Sequence, residues 1–203
     1  MSGKRERGIS YGPSVKLNTI NDAVCGGATN QGTGATLYGG ILGIEIEFTK
    51  GQVFYDASIG VLYEGVYKYV KTLSTGGAGV RGQIAFWSDP DNVVVTATNG
   101  GATVGDGNQA GIFLNAVNAG YFCWIQVGGI ASVLFNGTQA QATPGVKDYV
   151  VVKSGQPTAN AIADGTAITA SLLKCMLGIA KVAPVASTIS LVELLDRFSS
   201  PIA

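Results

Sequence analysis

The chain has 203 residues, with thirteen basic and thirteen acidic side chains and therefore no formal net charge. Only 13% of its residues are charged, against about 25% in an ordinary globular protein. Histidine is absent altogether, which removes Ser-His-Asp and Cys-His catalysis, imidazole metal ligands and the commonest general base.

Thirty glycines, at about twice the usual ~7%, lie without a fixed period among β-branched and aromatic residues. Glycine at this density serves tight turns and bulges in a fold of many short strands. It argues against helices, where each interior glycine costs about 1 kcal/mol relative to alanine. The expectation is an all-β chain, a β-barrel or β-sandwich that could be jelly-roll-like, with an extended N-terminal arm. So few charges leave little to keep copies apart, so the chain either associates or relies on a polar Ser/Thr/Asn surface to stay dispersed.

Residues 1–40 read as the arm, and residues 41–203 as the domain. The arm offers little for a core, and it ends in the glycine-rich stretch Gly26 to Gly34. It would lie across a neighbour in an assembly, or simply remain a loose terminus. Its candidate partner-binding residues are Lys4, Arg5, Arg7, Tyr11 and Lys16, although Glu6 dilutes the basic run.

From Ile41 the pattern changes. Ile44, Ile46 and Phe48 alternate with Glu45 and Glu47, as a half-buried strand requires. Gln52–Tyr55, Val61–Val70 and Val80–Trp87 follow as strands. A strong turn at Asp89-Pro90-Asp91-Asn92 precedes Val93–Thr98. Ala110–Leu114 and Tyr121–Val127 come next, and Gly128-Gly129 is expected to turn a hairpin into Ile130–Phe135. Asp148–Val152 is a strand, 157–171 a polar connection, Leu172–Val182 a strand or short helix, and Thr188–Val192 the last strand. The total is about ten, at the regular spacing of a barrel or sandwich.

Sites for chemistry are sparse. Ser58 lacks the first glycine of a nucleophile elbow, and neither a dinucleotide-binding glycine motif nor a phosphate-binding loop occurs. Glu45 and Glu47 could serve as an acid and base pair, or simply be a polar strand face. Asp89, Asp91 and Asn92 offer oxygens without the spacing of a calcium loop. Phe86, Trp87, Tyr121, Phe122 and Trp124 suit a core better than base stacking, since basic residues are not interleaved with them. Cys25, Cys123 and Cys175 are too far apart for a zinc motif and odd in number, which suits free thiols in a reducing cytoplasm. The opening Met-Ser-Gly-Lys-Arg leads into polar sequence, so no secretory signal is expected, and Asn136-Gly137-Thr138 reads as a turn. The most apolar stretch, Leu172–Ala186, is short and broken by Lys174, Lys181 and Pro184, so no membrane span is expected. No enzyme activity, cofactor, metal or direct nucleic-acid contact is expected.

The run from Gly111 through Tyr121-Phe-Cys-Trp-Ile-Gln-Val-Gly-Gly129 to Val133, followed by Gly145-Val-Lys-Asp-Tyr-Val-Val-Val152, resembles the small head-decoration, or cement, proteins of bacteriophages. In that family a Gly-Asp-Tyr-Val-Val-like strand occupies the second position, and Lys147 interrupts it here. Leu177–Ala183 and Ser187–Leu195 are similar to the family's closing strands. The likeness covers about residues 80–198 and lies in strand order and style. It implies a structural virion protein on the capsid exterior, made in the host cytoplasm. Its partners would be the major capsid protein and, in a trimer or dimer, copies of itself. A phage tail or receptor-binding β-structure is the alternative.

Overall fold

The computed structural model describes residues 43, 45–48, 54–56, 60–62, 65–98 and 108–195. Over these residues the protein is nearly all-β with one short helix. In chain order the strands are β1 (Glu45–Phe48), β2 (Phe54–Asp56), β3 (Gly60–Leu62), β4 (Gly65–Thr72), β5 (Ile84–Asp89), β6 (Val94–Thr96), β7 (Gln109–Phe113) and β8 (Phe122–Leu134). Then come β9 (Tyr149–Val152), β10 (Ala159–Ile162), helix α1 (Ala170–Cys175), β11 (Met176–Ala180) and β12 (Ile189–Leu194). The arm, residues 1–40, lies outside the described residues.

Five strands close on themselves in the order β4, β6, β5, β7, β8 and back to β4. Closure leaves no free edge along this ring, which removes a template for aggregation. Register identifies the inner face. Val70 sits opposite Cys123, Lys68 opposite Ile125, Thr72 and Trp87 opposite Val95, and Phe113 opposite Ile125. Val70, Val95 and Ile125 are fully buried. Because side chains alternate along a strand, Tyr67, Tyr69 and Lys71 of β4 point outward, as do Phe122, Trp124 and Gln126 of β8.

The remaining long strands continue from the far half of β8 in the order β12, β11, β9, β10. Beyond β10 the chain meets the continuation of β8: Phe135 bridges Ala159, and the Asn136 N–H donates to the Ala159 carbonyl at 2.8 Å. The thirteen residues of β8 therefore serve both the barrel and the outer strands. Strand β1 pairs with β4, while β2 and β3 form their own two-stranded sheet.

Here the expectation of a hairpin at Gly128-Gly129 is corrected. A two-residue hairpin would pair its own flanks, but these flanks pair with different strands: Phe122–Gly129 with β4 and Gly129–Leu134 with β12. The glycines instead let one strand coil. Gly129 has φ +80°, and β8 bulges just before it: Val66 faces Gly128 and Tyr67 faces Gln126, which leaves Val127 as the extra residue. The chains approach so closely that a Cβ on Gly65 would lie 2.3 Å from the Gly128 carbonyl oxygen. The buried Gln126 amide donates to the carbonyls of Gly128 (3.1 Å) and Ile130 (2.8 Å), which ties the bend together from within β8.

Two further readings change. The 157–171 connection contains β10, whose Ala159 and Ala161 are fully buried; small side chains fit it beneath its neighbours. Leu172–Val182 is both things at once, the end of α1 followed by β11. Thr169 caps α1 by accepting from the Leu172 N–H at 3.1 Å. The single run Val61–Val70 divides into β3 and β4, and the described residues form twelve strands.

Lys147, which interrupts the resemblance to the cement proteins, has φ +73°. That is the left-handed region in which a Cβ costs about 1–2 kcal/mol. Glycine relieves the strain and gives back part of the gain as unfolded-state entropy, about 0.4–1 kcal/mol. Lys147→Gly is therefore expected to stabilise the protein by about 0.5–1 kcal/mol, read as a higher urea midpoint with an unchanged slope.

Candidate functional site

Lys4, Arg5, Arg7, Tyr11 and Lys16, the predicted partner-binding residues, lie outside the described residues. The other candidates can be placed. Glu45 lies opposite Lys68 in the β1–β4 ladder, and its carboxylate oxygen is 3.3 Å from the Lys68 ammonium, with both side chains largely buried. The same ammonium stands 5.3 Å from the centre of the Trp87 ring. Glu45 is thus half of a largely buried ion pair; the Glu47 side chain lies outside the described residues.

In the 89–92 turn, the Asp89 carboxylate accepts from the Asn92 side-chain amide (2.8 Å) and the Asn92 backbone N–H (3.2 Å). The Asn92 side chain first, and then its backbone, hold the Asp89 carboxyl below the usual carboxylate range. Both carboxylate oxygens are engaged in building the turn. Among the described residues, no three His, Cys, Asp or Glu side chains come together as a metal site.

Phe86 and Trp87 belong to the core, as their place in β runs predicted. Trp124 is equally buried but stands on the outer face of the barrel with Tyr69 and Phe122. Tyr69 stacks on Phe122 with ring centres 6.0 Å apart and tilts against Trp124 at 5.2 Å. The Lys71 ammonium lies 5.6 Å over the Phe122 ring. Cys123 is a buried free thiol; the Cys175 thiol is buried and donates to the Leu172 and Ser171 carbonyls at 3.3 and 3.5 Å; Cys25 lies outside the described residues.

The surface with the chemistry of a contact site is at the tip of the β11–β12 hairpin. Lys147 N donates to the Ala180 carbonyl and Lys181 N to the Leu191 carbonyl, both at 2.9 Å. These bonds bring Val146 beside the hairpin that carries Val182, Val185 and Ile189. All four side chains are exposed, Val185 and Val146 by 58% and 56%. From Val182 to Val192 there is no charged residue; Lys181 and Glu193 flank the stretch and pair with each other at 2.8 Å. Pro184 is buried within the loop, which holds the valines around it outward. Apolar side chains exposed together around one hairpin mark an interaction surface more strongly than scattered ones. The unbroken absence of charge from 182 to 192 is the sequence signal for it.

Neither a protein-family model nor any curated protein matches this chain. The reading of its function therefore rests on its own residues.

Burial also dictates the alkaline behaviour. It pushes the Cys123 thiol up to about 12 and raises the Tyr67 phenol; Tyr69 is raised by burial and by the neighbouring Cys123. In the unfolded chain such groups ionise near ~8.5 for Cys and ~10 for Tyr. Above those values the fold binds more protons than the unfolded chain does, so its stability falls as pH rises. The stability they contribute is complete below about pH 8.5. The melting temperature should hold between pH 6 and 8 and fall progressively as the pH is raised above about 9. Cys123→Ala should remove part of that fall in calorimetric scans across the range.

Proposed function

We propose that this chain is a non-enzymatic structural subunit that binds the outer surface of a phage head and cements neighbouring major capsid subunits, with copies of itself as further partners. The observation that carries the reading is the exposed, uncharged tip formed by Val146, Val182, Val185 and Ile189. Outer strands that end in such a tip gain binding energy by burying area, and repetition over a lattice multiplies modest contacts into avidity. The low overall charge and the strand-order resemblance to cement proteins point the same way. Lys4, Arg5, Arg7, Tyr11 and Lys16 are proposed as a second set of contacts, towards acidic groups on the shell.

The test is co-sedimentation with emptied heads. The wild-type chain should pellet with them and raise their rupture temperature. Val182→Asp with Val185→Asp places two charges where apolar contact is proposed, and should weaken binding by about tenfold or more without changing the melting temperature of the free protein. A chain that binds host cells and ignores heads would support a tail or receptor-binding role instead.

A further inference from the structure

The outer face of the barrel carries an aromatic stripe that the core does not account for. Tyr67, Tyr69 and Trp124 are 1%, 3% and 2% exposed, yet they stand on the face opposite Val66, Val70, Cys123 and Ile125, and none of the three belongs to the core cluster. The indole N–H of Trp124 is buried with no hydrogen-bond partner, although such a group normally finds one. An outward-facing stripe so thoroughly shielded needs a cover.

The chain itself supplies the candidate. The Gly43 N–H donates to the Tyr69 carbonyl at 2.8 Å, so the residues leading up to Gly43 join the barrel directly beside the stripe. The eight immediately before it, Ala35-Thr-Leu-Tyr-Gly-Gly-Ile-Leu42, include four sizeable apolar side chains: Leu37, Tyr38, Ile41 and Leu42. The nine before those, Gly26 to Gly34, include none. The span from Tyr67 to Lys71 is about 13 Å at ~3.3 Å per residue, and eight extended residues reach about twice that. The stretch 49–64 joins β4 at Gly65, about 13 Å from Tyr69 along the strand, and β2 and β3 within it pair with each other rather than with β4.

We propose that residues 35–42 dock on the outer aromatic stripe formed by Tyr67, Tyr69, Phe122 and Trp124. The segment's backbone carbonyls would offer the Trp124 indole its acceptor, and its Leu and Tyr side chains would cover the rings. Residues 4–16, farther along, remain available for other contacts, so this inference stands whether or not the capsid reading does.

A photocrosslinking benzophenone placed at position 122 of the full chain tests it, since Phe122 is half-buried at the margin of the stripe. Mass mapping should join position 122 to residues 35–42 of the same molecule. An adduct to any other stretch of the chain, an adduct to a second copy, or no adduct overturns the proposal. A second measurement uses the full chain with Trp87→Phe, which leaves Trp124 as the sole indole. Leu37→Asp with Leu42→Asp in that background should shift its emission to the red and at least double its quenching by acrylamide. Unchanged emission and quenching overturn the docking.

Discussion

Gly178→Ala is expected to be severely damaging, costing about 3 kcal/mol or more. An added Cβ would stand 2.0 Å from the Glu193 carbonyl oxygen, 2.8 Å from its carbon and 3.0 Å from the Leu194 Cα. All three are backbone atoms of β12, so no side chain can swing aside. The alternative is to part β11 from β12 where Gly178 pairs with Leu194, at the position where the β11–β9 register already shifts. Two other glycines separate this effect from the general consequence of gaining a methyl group. Gly155 has φ +70° and nothing within 4 Å of its would-be Cβ, so Gly155→Ala should cost only the left-handed penalty of about 1–2 kcal/mol. Gly165 has open space and no such φ, so Gly165→Ala should be neutral or stabilise by up to about 1 kcal/mol. Urea denaturation of the three variants should rank them in that order. A Gly178→Ala protein as stable as Gly155→Ala would mean that β11 and β12 are not packed as closely as described.

The same glycines show how much of the fold the sequence carries. The strand signals of β1 and β12, the turn chemistry of Asp89 to Asn92 and the β-branched run of β9 are local, and the chain forms those elements there. The residues that misled are those whose conformation is set from a distance. Gly128-Gly129 has the composition of a hairpin turn, but Gln126 and the bulge opposite Val66 determine that the strand continues. Ala159 to Ile162 has little β propensity of its own; its pairing with β9 and the bridge from Phe135 make it a strand. The candidate contact surface was half legible. The charge-free run from 182 to 192 is visible in the sequence, but Val146 joins it only through the bond between Lys147 and Ala180. Phe122 and Trp124 read as core because they are aromatic and lie in strands, and only register places them on the outer face.

Gln126→Leu is expected to cost about 2–4 kcal/mol although leucine is more apolar and nearly as large, because the two carbonyls it abandons would each lose about 1–3 kcal/mol of satisfaction. The Gln126 side chain is 2% exposed, and its amide nitrogen serves Gly128 and Ile130 on the strand that links the barrel to the outer sheet. Hydrophobic gain does not offset this, since burial of the position is already complete in the wild type. Gln126→Glu should be worse near neutral pH, for a carboxylate would face two carbonyl oxygens with no proton to give. Lowering the pH towards the carboxyl's own range supplies that proton. Equilibrium unfolding at pH 7 and pH 4.5 should therefore narrow the gap between Glu and Gln at the lower pH, while the Leu variant's deficit stays put. If both variants unfold at the wild-type midpoint, then the hydrogen bonds from position 126 do not hold the bend, and the glycines alone turn β8 from one sheet into the next.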